Sequence, residues 1–118
     1  MNIESFRNYC LKKKGVTEEF PFGNETLVFK VMNKLFALAN VDEFDSINLK
    51  GDPEENEQLR ERYDGILPGY HMNKKHWNTV LTDGSVNDKL LKEMIDKSYE
   101  LVVAGLTKKD KDKLGNLK

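Results

Sequence analysis

The chain has 118 residues, 38% of them hydrophobic and 33% charged, with a formal net charge of −1. That balance points to one soluble globular domain, and it excludes a disordered or low-complexity chain and a protein that coats nucleic acid by overall charge. Cys10 is the only cysteine, which excludes a disulfide framework and a cysteine-rich zinc site. The polar N-terminus Met1–Tyr9 has no apolar run for a signal peptide or a membrane span, so a cytoplasmic protein without membrane contact is expected.

The first predicted element is a helix, with Ile3, Phe6, Tyr9 and Cys10 at helical spacing and Asn2 as its N-cap. Lys12, Lys13 and Lys14 complement the negative end of its dipole, and Gly15 stops it. Phe20-Pro21-Phe22-Gly23 reads as a rigid aromatic turn. Thr26–Met32 alternates as a strand, Asn33-Lys34 makes a tight turn, and Leu35–Asn40 returns, so Thr26–Asn40 is a hairpin. The polar 42–45 stretch leads to a third strand, Ser46–Lys50, with Ile47 and Leu49 inward. Asp52 and Pro53 mark a helix start, where Glu55 completes a capping box. This helix runs to Tyr63 with only Leu59 and Tyr63 as an apolar stripe. One or two strands follow, ending with Trp77–Leu81 before an Asp83-Gly84 turn. The last main helix, from Asn87 to Ala104, carries a broad stripe of Leu90, Leu91, Met94, Ile95, Ser98, Leu101 and Val102. The order α-β-β-β-α-β(-β)-α predicts a two-layer α+β domain, a mainly antiparallel sheet with helices packed on one face. It occupies residues 1–106, and 107–118 reads as a lysine-rich tail, a short amphipathic turn that frays.

Charge is unevenly distributed. Asp42, Glu43, Asp45, Asp52, Glu54, Glu55, Glu57, Glu61 and Asp64 crowd the middle of the chain, whereas no acid occurs between Ile66 and Thr82. That acid-free stretch, Pro68 to Val80, mixes Tyr70, His71, Asn73, Lys74, Lys75, His76, Trp77 and Asn78. Lysines can contact phosphate or carboxylate, amides can bond base edges or backbone, and rings can stack. The competing interpretation makes Tyr70 and Trp77 core aromatics and the polar residues a solvated turn. His71 and His76, five apart, fit neither helical nor strand spacing for a metal pair, so no metal site is assigned. Gly-rich phosphate loops, a Cys–His pair and a Gly-x-Ser-x-Gly elbow are all missing, so no catalytic residue and no cofactor is assigned and a binding protein is expected.

Pro21-Phe22-Gly23, Leu27–Val31, Lys34–Leu38, Asn48–Lys50, the whole of Pro68–Val80 and Ser98–Val102 resemble the MmcQ/YjbR family, in the same order from about Ile3 to Leu106. The resemblance implies a fold compared with CyaY (frataxin) and with secretion chaperones. It also implies DNA binding, with paired hairpin wings as the contact surface. On this view the contact residues are Lys30, Lys34, Lys50, Asn73, Lys74, Lys75, His76 and Trp77. The turn at Met32-Asn33-Lys34 departs from the family by lacking its glycine pair. A protein partner held on an exposed sheet face is the alternative, and iron held by Asp42, Glu43 and Asp45 ranks third. Oligomeric state is not readable from the chain.

Overall fold

The computed structural model describes residues 1–69 and 72–117; the expectations for Tyr70 and His71 lie outside the described residues. In chain order the elements are α1 (Ile3–Leu11), β1 (Val16–Glu19), β2 (Thr26–Val31), β3 (Lys34–Asn40), β4 (Ser46–Lys50), α2 (Pro53–Arg62), β5 (Ile66–Pro68), β6 (Trp77–Leu81), α3 (Asp88–Ala104) and α4 (Lys108–Gly115). The six strands form one sheet in the order β1-β2-β3-β4-β6-β5, with every neighbouring pair antiparallel. The expected α+β architecture is present, and two strands, β5 and β6, follow α2 where one or two were expected.

Strand pleating divides the sheet into two faces. Leu27, Phe29, Val31, Ala37, Ala39, Ile47, Leu49, Ile66 and Val80 share one face and form the core with Phe6 and Cys10 of α1 and Leu91, Met94, Ile95 and Val102 of α3. The register puts Thr26, Val28, Lys30, Leu35, Leu38, Asn48, Lys50, Leu67, Trp77, Thr79 and Leu81 on the opposite face. Neither Val28 nor Trp77 joins the main core, although both are buried. The helices therefore cover one face only.

A bulge breaks the β2–β3 register between Phe29 and Lys30 and adds Phe36 as an extra inward residue. Such a break leaves ladder groups to be satisfied elsewhere. Ser98 of α3, fully buried, does this: its Oγ donates to the Phe36 carbonyl at 2.5 Å and accepts from the Lys50 amide at 2.9 Å. Hence a serine stands in the apolar stripe of α3. Leu101 of the same predicted stripe is exposed instead.

Helix ends follow local chemistry. The capping box occurs in α1, where Asn2 and Ser5 exchange bonds of 2.8 and 3.0 Å. In α2, Asp52 accepts from the Glu54 and Glu55 amides at 3.1 and 3.2 Å, and the Glu55 carboxylate sits 3.6 Å from Lys97 of α3. Two elements were not expected. The edge strand β1 is four residues long with two glutamates, too short and too charged to announce itself, and such charge suits an edge. The expected frayed tail is instead the helix α4, capped by Thr107, whose Oγ1 accepts from the Asp110 amide at 3.1 Å. Leu114 of α4 is buried over Gly15, where φ is +74° and an added Cβ would fall 2.5 Å from Leu114 Cδ1. Among the described residues no helix is long and apolar enough to cross a membrane.

Candidate functional site

Antiparallel pairing gathers the candidate residues at one end of the sheet. The C-termini of β2, β4 and β5 meet the N-termini of β1, β3 and β6 there. Lys30, Lys34, Lys50, Asn73, Lys74, Lys75, His76 and Trp77 all lie at or beside this end, as do Lys12, Lys13 and Lys14 before β1. Because α3 runs back to the same end, α4 and its lysines follow on. Acids reach this end as well, Asp52 through its cap on α2 and Asp110 and Asp112 through α4.

The opposite end is built from the connections at residues 20–25, 41–45, 63–65 and 82–87. They carry Glu25, Asp42, Glu43, Asp45, Asp64 and Asp83 and no lysine or arginine. Asp83 accepts from the Ser85 hydroxyl at 2.6 Å and its amide at 3.0 Å, and these bonds hold its carboxyl below the usual range. Five to seven residues of strand span about 17–24 Å. The two ends are thus separated by more than the ~8 Å Debye length at physiological salt. A net charge of −1 hides a molecule with a lysine-rich end and an acidic end.

The gathered residues do not form one plane. Lys30 and Lys50 share the helix-free face, two strands apart with Leu35 between them. Lys30 is already paired with Glu19 at 2.8 Å, and its side chain is only 26% exposed. Lys34 lies opposite Val31 and so falls on the helix side, and at the end of the sheet it lines a hollow of about 300 Å³ with Leu35 and Lys50 of the other face and Leu101, Val102 and Gly105. Trp77 is 8% exposed, so little of its ring is free for stacking. Lys74, Lys75 and His76 are exposed in the turn that leads into β6.

That turn is held through its backbone. Asn73 folds it, its Oδ1 accepting from the Lys75 amide at 2.9 Å and its carbonyl from the His76 and Trp77 amides at 3.2 and 3.0 Å. The carbonyls that remain are met by donors from outside the turn. Arg60 Nη2 donates to the Lys74 carbonyl and, at 3.2 Å, to that of Trp77. Asn56 Nδ2 donates to the Lys75 and Gly51 carbonyls, each at 3.2 Å, and the Gly51 amide donates to the His76 carbonyl at 2.8 Å. Asn78, fully buried, joins the two: its Nδ2 donates to Asn56 Oδ1 at 3.2 Å and its Oδ1 accepts from Arg60 Nε at 2.7 Å. Gly51 makes room for this, since a Cβ there would fall 2.2 Å from Asn56 Oδ1. With every backbone carbonyl from Lys74 to Trp77 engaged, the lysine and histidine side chains project from a fixed base.

The YjbR family model matches residues 11–101, a span that holds all six strands of the sheet. This chain belongs to the YjbR family. Its similarity to YbdF of Escherichia coli O157:H7 is 42% identity over 112 residues, covering 94% of this chain and 92% of that protein. YjbR of Escherichia coli K12 is 34% identical over 115 residues, 97% of each chain. The crystal structure of Deinococcus radiodurans DR2400, a DUF419 domain, is 42% identical and superposes with a TM-score of 0.89 over 97% of this chain and 88% of that one. A Pseudomonas syringae protein superposes with a TM-score of 0.72 at 32% identity, covering 86% of this chain and 98% of its own.

In this YjbR-family chain, Asn56 and Arg60 were not among the residues singled out by sequence, and Asn78 was named only as part of the Pro68–Val80 stretch. The available signal was Asn78, because alternation in Trp77–Leu81 aligns it with Val80, on the inward face. A polar side chain there needs partners. Elsewhere on α2, Glu55, Gln58, Leu59, Glu61 and Arg62 line a hollow of about 590 Å³ with Lys97, a mixture of both charges away from the turn. Among the described residues no three His, Cys, Asp or Glu side chains are grouped to hold a metal ion.

Proposed function

We propose that this YjbR-family chain is a non-enzymatic, cytoplasmic protein that binds nucleic acid, DNA in the first instance, through the lysine-rich end of its sheet. The observation that carries this reading is the separation of charge along the strands. A polyanion that meets Lys34, Lys50, Lys74 and Lys75 is screened from the acids at the far end. Phosphate contacts supply most of the affinity of such a complex, and a turn whose backbone is already hydrogen-bonded lowers the ordering cost of making them. With Lys30 paired and Trp77 buried, the contact set narrows to Lys34, Lys50, Asn73, Lys74, Lys75 and His76.

The test is fluorescence anisotropy with labelled single-stranded and duplex DNA between about 50 and 200 mM salt. The logarithm of affinity should fall linearly with the logarithm of salt, by about 0.7–0.9 for each phosphate neutralised. Lys74→Ala with Lys75→Ala should weaken binding and flatten that slope by roughly two such contacts. No binding to either DNA at the lowest salt sinks the reading.

A second reading rests on the helix-free sheet face, where Leu35, Leu38, Leu67 and Leu81 stand without a covering helix. Together with the CyaY-like and secretion-chaperone fold comparisons that the family resemblance implies, it supports a protein-binding module. Leu38→Glu separates the two, since it should abolish a partner complex on that face and leave DNA binding at the strand ends intact.

A further inference from the structure

We propose that Arg60 is a positioning residue, the group on α2 that locks the Lys74–His76 turn so that the helix and the turn move as one unit. The geometry is that of a fork, with Nε on the Asn78 amide oxygen at 2.7 Å and Nη2 shared between the carbonyls of Lys74 and Trp77. A planar guanidinium can serve three acceptors at once from a fixed stem, which a lysine ammonium cannot reproduce in the same geometry. The acceptors belong to both ends of the turn and to the buried face of β6, so one side chain fixes the turn's width and its height above the sheet.

Besides a partly buried Leu59 against the core and the exposed Glu55–Lys97 pair, α2 is held through its polar side chains. Asn56 is its only fully buried residue, and Asn56 and Arg60 lie four apart on one helix face. Both therefore reach the same strand end, Asn56 toward the Lys75 carbonyl and Arg60 toward Lys74 and Trp77. The Arg60 charge is spent on inward oxygens, so this residue orders the turn without itself facing a ligand. The consequence for binding rests on the nucleic-acid reading above. Loosening the turn should lower affinity without changing how many phosphates are contacted.

Limited trypsin digestion read by mass spectrometry tests the lock without any ligand, because Lys74 and Lys75 place two cleavage sites inside the turn. Arg60→Met should raise cleavage after these lysines by roughly tenfold or more, through local opening, and leave cleavage in α4 unchanged. Arg60→Lys keeps the stem and charge, should still raise turn cleavage, and serves if the methionine variant does not fold. Turn cleavage at the wild-type rate in the folded variants overturns the proposal. In DNA titrations the variants should lose roughly tenfold in affinity with the salt slope retained. A reduced slope makes Arg60 a phosphate contact and also overturns it. Faster turn cleavage in a protein whose wild type binds no DNA supports the lock and defeats only the nucleic-acid reading.

Discussion

The helices α3 and α2 pack against the same sheet by different physics. α3 buries Leu91, Met94, Ile95 and Val102 over β2–β4, with Ser98 as a polar stitch to the sheet. α2 fully buries only Asn56; it meets the turn and β6 through hydrogen bonds of Asn56 and Arg60, beside a partly buried Leu59 packed on the core. Apolar burial is non-directional and scales with area, so α3 anchors the domain without specifying any one loop. Hydrogen bonds to named carbonyls are directional, so α2 sets the conformation of one turn. The lysine-bearing turn sits under the helix whose contacts carry positional information.

The largest expected break in this contrast is in α3. Ile95→Ala, at a fully buried position, should cost about 2–5 kcal/mol in urea unfolding and lower the stability of the whole domain. Trypsin cleavage within the Lys74–His76 turn should rise only in proportion to global unfolding. Asn56→Ala is the counterpart in α2. It strands the Lys75 and Gly51 carbonyls and Asn78 Nδ2, for about 1–3 kcal/mol. Here hydrogen exchange should show the turn and α2 opening well before the rest of the domain. Uniform loss in both variants would remove the distinction between the helices.

Those two helices also differ in how far the sequence discloses them. The stripe of α3 and its ends at Asn87 and Gly105 are legible, since apolar spacing and caps are local properties of the chain. So are the hairpin and the strand Ser46–Lys50, where alternation is clean. The start of α2 is equally plain, but its packing is not, because Asn56 and Arg60 look like any polar residues on a surface helix. Apart from the Gly51 carbonyl, their partners lie 14 to 22 residues away and are mostly backbone oxygens, which leave no trace in side-chain identity. The bulge at Phe36 escapes for a related reason, since Ser98, which answers it, is 62 residues distant. For the candidate site, residue types and the outward side of Lys30 and Lys50 were readable and their partners were not: Lys30 pairs with Glu19 on a strand that the sequence did not announce.

A third expectation sharpens the comparison through protons. Where α1 meets α3, burial and then the hydrogen bond to Asp96 push the Tyr9 phenol from 10.0 up to about 12. Burial likewise pushes the Cys10 thiol from 9.0 up to about 12. Folded values above the unfolded ones mean that the native state prefers both protons. This contribution is complete below pH 9 and is lost as pH rises through the folded values, over about pH 9 to 12. Urea midpoints should therefore fall across that range, and Tyr9→Phe with Cys10→Ala should flatten the decline. The Asn56 and Asn78 amides do not titrate, so trypsin cleavage at the Lys74–His76 turn should not rise ahead of global unfolding at high pH.

The smallest effect concerns the neighbouring turn at the same end of the sheet. The two-residue connection between β2 and β3 places Met32 at φ +49° and Asn33 at φ +66°, as a type I′ turn demands at both positions. Asn33 tolerates this conformation, but Met32 pays the steric cost that a Cβ with a long side chain meets there, on the order of 1 kcal/mol. Met32→Asn should recover part of it, about 0.5 kcal/mol, with no change in the Lys34 or Lys30 environment. Met32→Gly should recover less, because the greater freedom of glycine in the unfolded chain offsets the relief. Thermal unfolding of both variants checks the order. A methionine that proves as stable as asparagine at this position would mean that its side chain gains compensating contacts against the core, which it packs against while only partly buried.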